Sequence, residues 1–237
     1  MRWEDDHTTL VHPSVRTISW TLIVPLLLAT GRAAPAGESS APGAAEDAQS
    51  AESDRPSKAW SASASVFIYV VPDSRTYAQP TVAVDYRNVH VEGRFNYEAI
   101  DAGSLWLGYD FAVGDSLTVA FTPMIGGVFG HVTGVAPGYE LTLNYWKLEL
   151  YSEGEYFFDT ADSSGDFTYT WSELSLAPIE WVRVGVAAQR TRAYHTDVDT
   201  QWGPLFGASY RWLGVTTYVF DLDQTRQTVV VGLQASF

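Results

Sequence analysis

The last ten residues, Thr228-Val-Val-Val-Gly-Leu-Gln-Ala-Ser-Phe237, constrain the fold more than any other stretch of the chain. In an extended segment, successive side chains point to opposite faces. Val229, Val231, Leu233, Ala235 and Phe237 therefore share one face, and Thr228, Gln234 and Ser236 the other. Such a strand needs an apolar environment on one side and a polar one on the other. The last strand of a soluble sandwich would meet that condition, and so would a strand between lipid and a wet lumen.

The same alternation recurs from Ala59 onward and yields twelve strands, with ten as the alternative count. Trp60, Ala62, Ala64, Val66, Ile68 and Val70 oppose Ser61, Ser63 and Ser65. Val89, Val91, Gly93, Phe95 and Tyr97 oppose His90, Glu92, Arg94 and Asn96. Leu105, Leu107, Tyr109 and Phe111 oppose Ser104, Gly108 and Asp110, and Val182, Val184, Val186 and Ala188 oppose Arg183 and Gln189. Three features disturb the pattern. Pro123 removes a ladder bond inside a strand. A bulge near Ser172-Glu173 is needed if Trp171 and Leu174 are to share the apolar face. The strand Tyr139 to Tyr145 is short.

Connections alternate between short and long. Two-residue turns are expected at Arg87-Asn88, Trp146-Lys147 and Leu213-Gly214, where the apolar phase slips by one as a hairpin requires. Short connections are also expected at Gly114-Asp115 and Pro178-Ile179. The longer ones run over Pro72 to Pro80, Ala99 to Gly103, Gly126 to Gly138, Thr160 to Asp166, Ala193 to Thr200 and Asp221 to Thr225. Trp60, Tyr86, Phe111, Tyr145, Tyr210, Trp212 and Phe237 collect on the apolar face at the short-turn ends, as an interfacial aromatic girdle would.

In its alternation, loop asymmetry and terminal strand, the segment from Ala59 to Phe237 resembles the bacterial outer-membrane β-barrels, a porin-like class. The resemblance implies an all-β fold: a single up-and-down antiparallel transmembrane barrel of about twelve strands. It implies that Val229, Val231, Leu233, Ala235 and Phe237 form the signal read by the barrel-assembly machinery. It also implies a Gram-negative outer membrane as location, with outer-membrane lipid and small polar solutes as partners.

Composition narrows the alternatives. The chain lacks cysteine, which excludes disulfides, thiolate metal sites and a cysteine nucleophile. It holds 9 Trp and 13 Tyr, yet its mean hydropathy is near zero. No apolar run reaches the roughly 18 residues of a membrane helix. The formal charge of −14 and the lack of a basic stripe argue against nucleic acid as a partner. Residues 1–36 read as a signal peptide, with an apolar stretch from Ile18 to Ala29 and the A-x-A trio Ala34-Pro35-Ala36. Glu4-Asp5-Asp6 is wrong for a positive leader, which places the true start nearer Val11 or Val15. Residues 37–58, rich in Ala, Ser, Gly, Glu, Asp and Pro, read as a disordered periplasmic tail.

The polar face supplies the candidate site. Asp85, Arg87, His90, Glu92, Arg94, Asp110, Glu149, Glu153, Glu155, Arg183 and Arg211 are expected to line the lumen. From Ala59 on there are 20 Asp and Glu against 9 Lys and Arg, so a passive channel of this kind would prefer cations weakly. The alternative is a lumen plugged by its own charges, with a structural role or a loop-sited hydrolase activity at His195 beside Asp197 and Asp199. No nucleophile motif accompanies that histidine, so no catalytic residue is assigned. Asp159, Asp162 and Asp166 lack EF-hand spacing, and neither a metal nor a cofactor is expected.

Overall fold

A computed structural model describes residues 60–161, 163–193, 199–222 and 227–237. The two N-terminal segments read above, residues 1–36 and 37–58, lie outside the described residues, as do Asp162, His195 and Asp197. Thirteen strand segments follow one another: β1 (Trp60–Val70), β2 (Tyr77–Tyr86), β3 (Val89–Phe95), β4 (Ala102–Tyr109), β5 (Phe111–Val113), β6 (Leu117–Gly130), β7 (Gly134–Tyr145), β8 (Leu148–Asp159), β9 (Phe167–Ile179), β10 (Val182–Ala193), β11 (Asp199–Tyr210), β12 (Leu213–Phe220) and β13 (Thr228–Ser236). Sequence neighbours pair antiparallel except β4 and β5, which both pair with β6. The first and last strands join, Ile68 opposite Val231 and Ala64 opposite Ala235, which closes the sheet. Closure leaves no edge to be paired.

β4 and β5 are one barrel strand in two pieces. Both pair with β6 in a single register, Gly108 opposite Met124 and Phe111 opposite Phe121. The closed barrel therefore has twelve strands. The gap falls opposite Pro123, which has no N–H to give. Asp110 turns its backbone to the other side, donating N–H to the Asn88 carbonyl at 2.8 Å.

The two faces are chemically distinct. Leu105, Leu107, Val184, Val186, Phe206 and Leu233 stand exposed on the outside, while Phe67, Tyr69, Trp171, Tyr218 and Val230 are fully buried inside. An exposed apolar band running right round a barrel fits lipid, not water. The expected aromatic girdle at the short-turn ends is present on this outer face, from Trp60 and Tyr86 to Trp212 and Phe237. Phe95, Phe129, Phe158 and Trp202 form a second one at the long-loop ends.

Several local expectations are corrected. β7 is twelve residues long, so the ten-strand count falls. The supposed long loop from Gly126 to Gly138 is mostly strand, leaving only residues 131–133 between β6 and β7. Two of its glycines, Gly126 and Gly138, are not turn residues: a Cβ on Gly126 would lie 2.5 Å from the Trp106 indole, and one on Gly138 would lie 3.0 Å away. They are small so that Trp106 can lie flat on the inner wall. Trp171 faces inward, so no bulge at Ser172-Glu173 is needed, and β8–β9 pairing runs unbroken through it. The irregularity lies instead between Leu176 and Ile179, around Pro178. The last two short turns are Glu180-Trp181 and Arg211-Trp212, with Tyr210 opposite Leu213. Arg211 takes the positive φ there, 56°, and Gly214 lies within β12. Tyr97 is buried rather than outward, because β3 ends at Phe95 and the chain turns in through Asn96, whose φ is 58°.

Candidate functional site: the barrel lumen

Alternation carries the polar residues of each strand inward, and closure brings strands far apart in sequence face to face. Asp85, His90, Glu92, Arg94, Glu149, Glu153, Glu155 and Arg183 lie on the inner wall. Asp110 reaches inward from the β4–β5 gap, accepting from Thr122 Oγ1 at 2.6 Å. Arg87 and Arg211 sit exposed in turns, each at positive φ, away from the wall. The outer face of β13 presents Val229, Val231, Leu233 and Ala235, and Phe237 follows, stacked on Trp212 at 5.9 Å.

Three clusters divide the inner residues. Nearest the short turns, His90 Nδ1 lies 2.6 Å from Asp85 Oδ1, and Ser61 Oγ donates to Asp85 Oδ2 at 2.9 Å. His90 Nε2 lies 3.8 Å from Glu92. Asp85, His90 and Asp110 bring ligand atoms within 4.8 Å of one another, and so do His90, Glu92 and Glu140. Either trio has the donor types of a transition-metal site.

The second cluster surrounds Arg94. Its Nε donates to Glu92 Oε1. Its terminal nitrogens lie 3.9 Å from Glu140 on β7 and 3.6 Å from Glu155 on β8. The guanidinium also lies 4.4 Å from the Tyr97 ring and 4.5 Å from that of Trp106. Tyr97 donates to Glu153 at 3.3 Å, so this cluster bridges β3 to β8 across the lumen. Glu98, in the β3–β4 loop, is buried over the same cluster, and burial pushes its carboxyl above the ordinary carboxylate range.

The third cluster centres on Glu173. Arg183 Nη1 donates to its Oε2 at 2.8 Å, while Tyr218 and Trp171 donate to its Oε1 at 2.8 and 2.9 Å. Glu149 lies 3.6 Å from Arg183. Trp171 packs edge-on against Tyr218 and Phe220, joining β9 to β12. The described lumen thus contains side-chain bridges, not a bare cylinder of water.

Sequence reading missed Glu140 and Glu173, and it missed the inward aromatics Phe67, Tyr69, Trp106, Tyr151, Tyr169 and Tyr218. β8 and β9 carry rings on both faces, so hydropathy alternation alone cannot sort them. Glu173 was readable: it shares a face with Trp171 and Ser175 once no bulge is inserted.

No family model and no curated protein matches the chain. Solved structures do. The KdgM porin aligns over 74% of this chain and 99% of its own, with a TM-score of 0.55 at 9% identity. The fold is that of the porin-type outer-membrane barrels. A second structure, the KdgM porin in complex with disordered oligogalacturonate, covers 75% of this chain and 99% of its own at 9% identity, with a TM-score of 0.53. The Acinetobacter baumannii outer membrane protein Omp33 covers 75% and 97% at 10% identity, with a TM-score of 0.45.

Proposed function

We propose that the chain is a bacterial outer-membrane channel for small polar solutes, and that it prefers cations. One observation carries this reading. Among the described residues, seven glutamates are buried in or over the lumen: Glu92, Glu98, Glu140, Glu149, Glu153, Glu155 and Glu173. The buried cations facing them are Arg94 and Arg183. A low-dielectric wall with an excess of one sign concentrates ions of the other. The apolar outer face takes lipid, and the outward residues of β13 with Phe237 are what the barrel-assembly machinery would read.

Oligogalacturonate, found in one KdgM structure, is a polyanion. An acidic lumen would repel such a solute, so oligogalacturonate does not carry over to this chain.

Single-channel recording of the refolded full chain under a potassium chloride gradient tests the proposal. The expected result is a reversal potential of the sign for cation flow. It should shrink toward zero in Glu149→Gln/Glu153→Gln/Glu155→Gln and at 1 M salt, where the Debye length is about 3 Å. An absence of conductance above background would overturn the channel reading, and a reversal potential of anionic sign would overturn the preference.

A further inference from the structure

Arg94 is a guanidinium held by three carboxylates and two aromatic faces, all from one barrel wall and its opposite. Charge-assisted acceptors plus π faces are the means by which proteins recognise organic cations. The cluster has more acceptors than Arg94 can satisfy. Its contacts to Glu140 and Glu155, at 3.9 and 3.6 Å, are longer than hydrogen bonds. Both carboxylate oxygens of Glu155, which is 5% exposed, lack a hydrogen-bond partner, while Glu98, 0% exposed, is met by the neutral donors Ser104, Trp106 and its own amide. Buried carboxylates without donors are costly. Five glutamates, at 92, 98, 140, 153 and 155, stand around a single guanidinium.

The missing charge is not well supplied by a bare metal ion. The ligand groups close enough to share one ion, among the described residues, both centre on His90. Glu98, Glu153 and Glu155 belong to neither, so their oxygens are spread too widely for one small ion. A wider cation with several N–H donors and a flat or compact apolar surface fits that spacing, as Arg94 itself does.

We propose that the Arg94 cluster is the recognition site for the conducted solute, and that this solute carries a guanidinium or primary ammonium group. Arg94 is the tethered occupant. An incoming cation bonds Glu98 and Glu155 first and then competes for Glu92, Tyr97 and Trp106, allowing the arginine side chain to swing aside. The proposal rests on the channel reading for the word "conducted", but not for the binding itself.

Two measurements on the refolded full chain separate these points. In the first, Arg94→Ala is melted in detergent with 10 mM-scale additions of methylguanidinium chloride, urea or sodium chloride, all about that order of magnitude. Methylguanidinium should recover at least half of the midpoint lost by the substitution; urea, which has the donors without the charge, and sodium, which has the charge without the donors, should not. Equal response to all three overturns the proposal. Should Arg94→Ala fail to fold, Glu155→Gln replaces it against wild type: methylguanidinium should raise the wild-type midpoint and raise that of Glu155→Gln several-fold less, and no difference overturns the proposal. In the second, bilayers holding sodium on one side and methylguanidinium on the other should give a permeability ratio favouring methylguanidinium. Rescue without conductance keeps the binding site and removes the channel reading. Conductance without rescue or selectivity keeps the channel and removes the site.

Discussion

Tyr109 stands opposite Pro123 where the β4–β6 ladder continues into β5, and the bond between them is missing. The register on either side fixes the pairing. Asp110 turns its N–H to Asn88, so Tyr109 is the residue whose backbone faces β6. A proline there cannot donate. Its outward, exposed side chain leaves the lumen undisturbed.

Replacing that proline should mend the ladder. In Pro123→Val, the new N–H at position 123 can donate to Tyr109 O, and amide exchange at the neighbouring Phe111 is expected to slow by about fivefold, the worth of one hydrogen bond near 1 kcal/mol. Global stability should change by less than about 1 kcal/mol, because losing proline also frees the unfolded chain. Unchanged protection at Phe111 would show that the gap has another cause.

The inward ion pair at Arg183 predicts a strong non-additivity. Arg183→Met leaves Glu173 buried with only Tyr218 and Trp171 as donors, and should cost about 3–5 kcal/mol. Adding Glu173→Gln should return much of that loss, since a neutral amide needs no counter-charge. Denaturant titrations of the two single variants and the double variant measure the coupling, and additive costs would contradict the buried pairing.

Glu98 sets a pH dependence whose sign follows from its raised carboxyl. Unfolding lowers the group to its ordinary value, about 4.3. Below that value it is protonated in both states and imposes no penalty. As pH rises from about 4.3 through the raised folded-state value, the folded barrel must ionise a buried group, and stability falls. Glu98→Gln should therefore be more stable than wild type at neutral pH, with the advantage fading toward pH 4. A constant difference across pH 4–8 in thermal melts would exclude Glu98 as the source.

The outer face predicts its own response to charge. Val184→Arg or Leu107→Arg should each cost about 2–4 kcal/mol in lipid. Their inner-wall neighbours make poor comparators, because a Cβ on Gly185 would lie 2.1 Å from the Leu174 carbonyl oxygen and one on Gly108 2.9 Å from Thr122. Ser63, half-buried on the inner face of β1, is the sound control. Ser63→Arg should be tolerated better than either outer substitution in refolding titrations, and equal costs would invert the assignment of faces.

Phe237 ties the closing seam. Its N–H donates to Ala62 O at 2.9 Å, and its ring stacks on Trp212. Phe237→Ala keeps the backbone bond and loses the stack, a loss of roughly 1 kcal/mol. If the ring is also the assembly signal, the amount inserted in vivo should fall much further than in vitro stability does. Proportionate falls would leave the ring a purely structural role.

The sequence by itself determined the barrel. Period-two alternation, the alternation of short and long connections, and aromatic strand ends are local signals, and each survives in Val184, Tyr86 and Phe237. Turn chemistry was legible where two residues flank a clear phase slip, as at Arg87-Asn88. It misled where glycine lies inside a strand, as at Gly126, which is small so that Trp106 can pack over it, and at Gly214 in β12. The lumen's charged walls were partly visible as Glu149, Glu153, Glu155 and Arg183. Only the tertiary structure decided which of them meet. Arg94 and Glu155 are sixty-one residues apart in sequence and 3.6 Å apart in space, a distance set by barrel closure and stagger that no local pattern encodes. The same closure turned Trp171 and Tyr218 toward each other and made the interior bridged, acidic and aromatic.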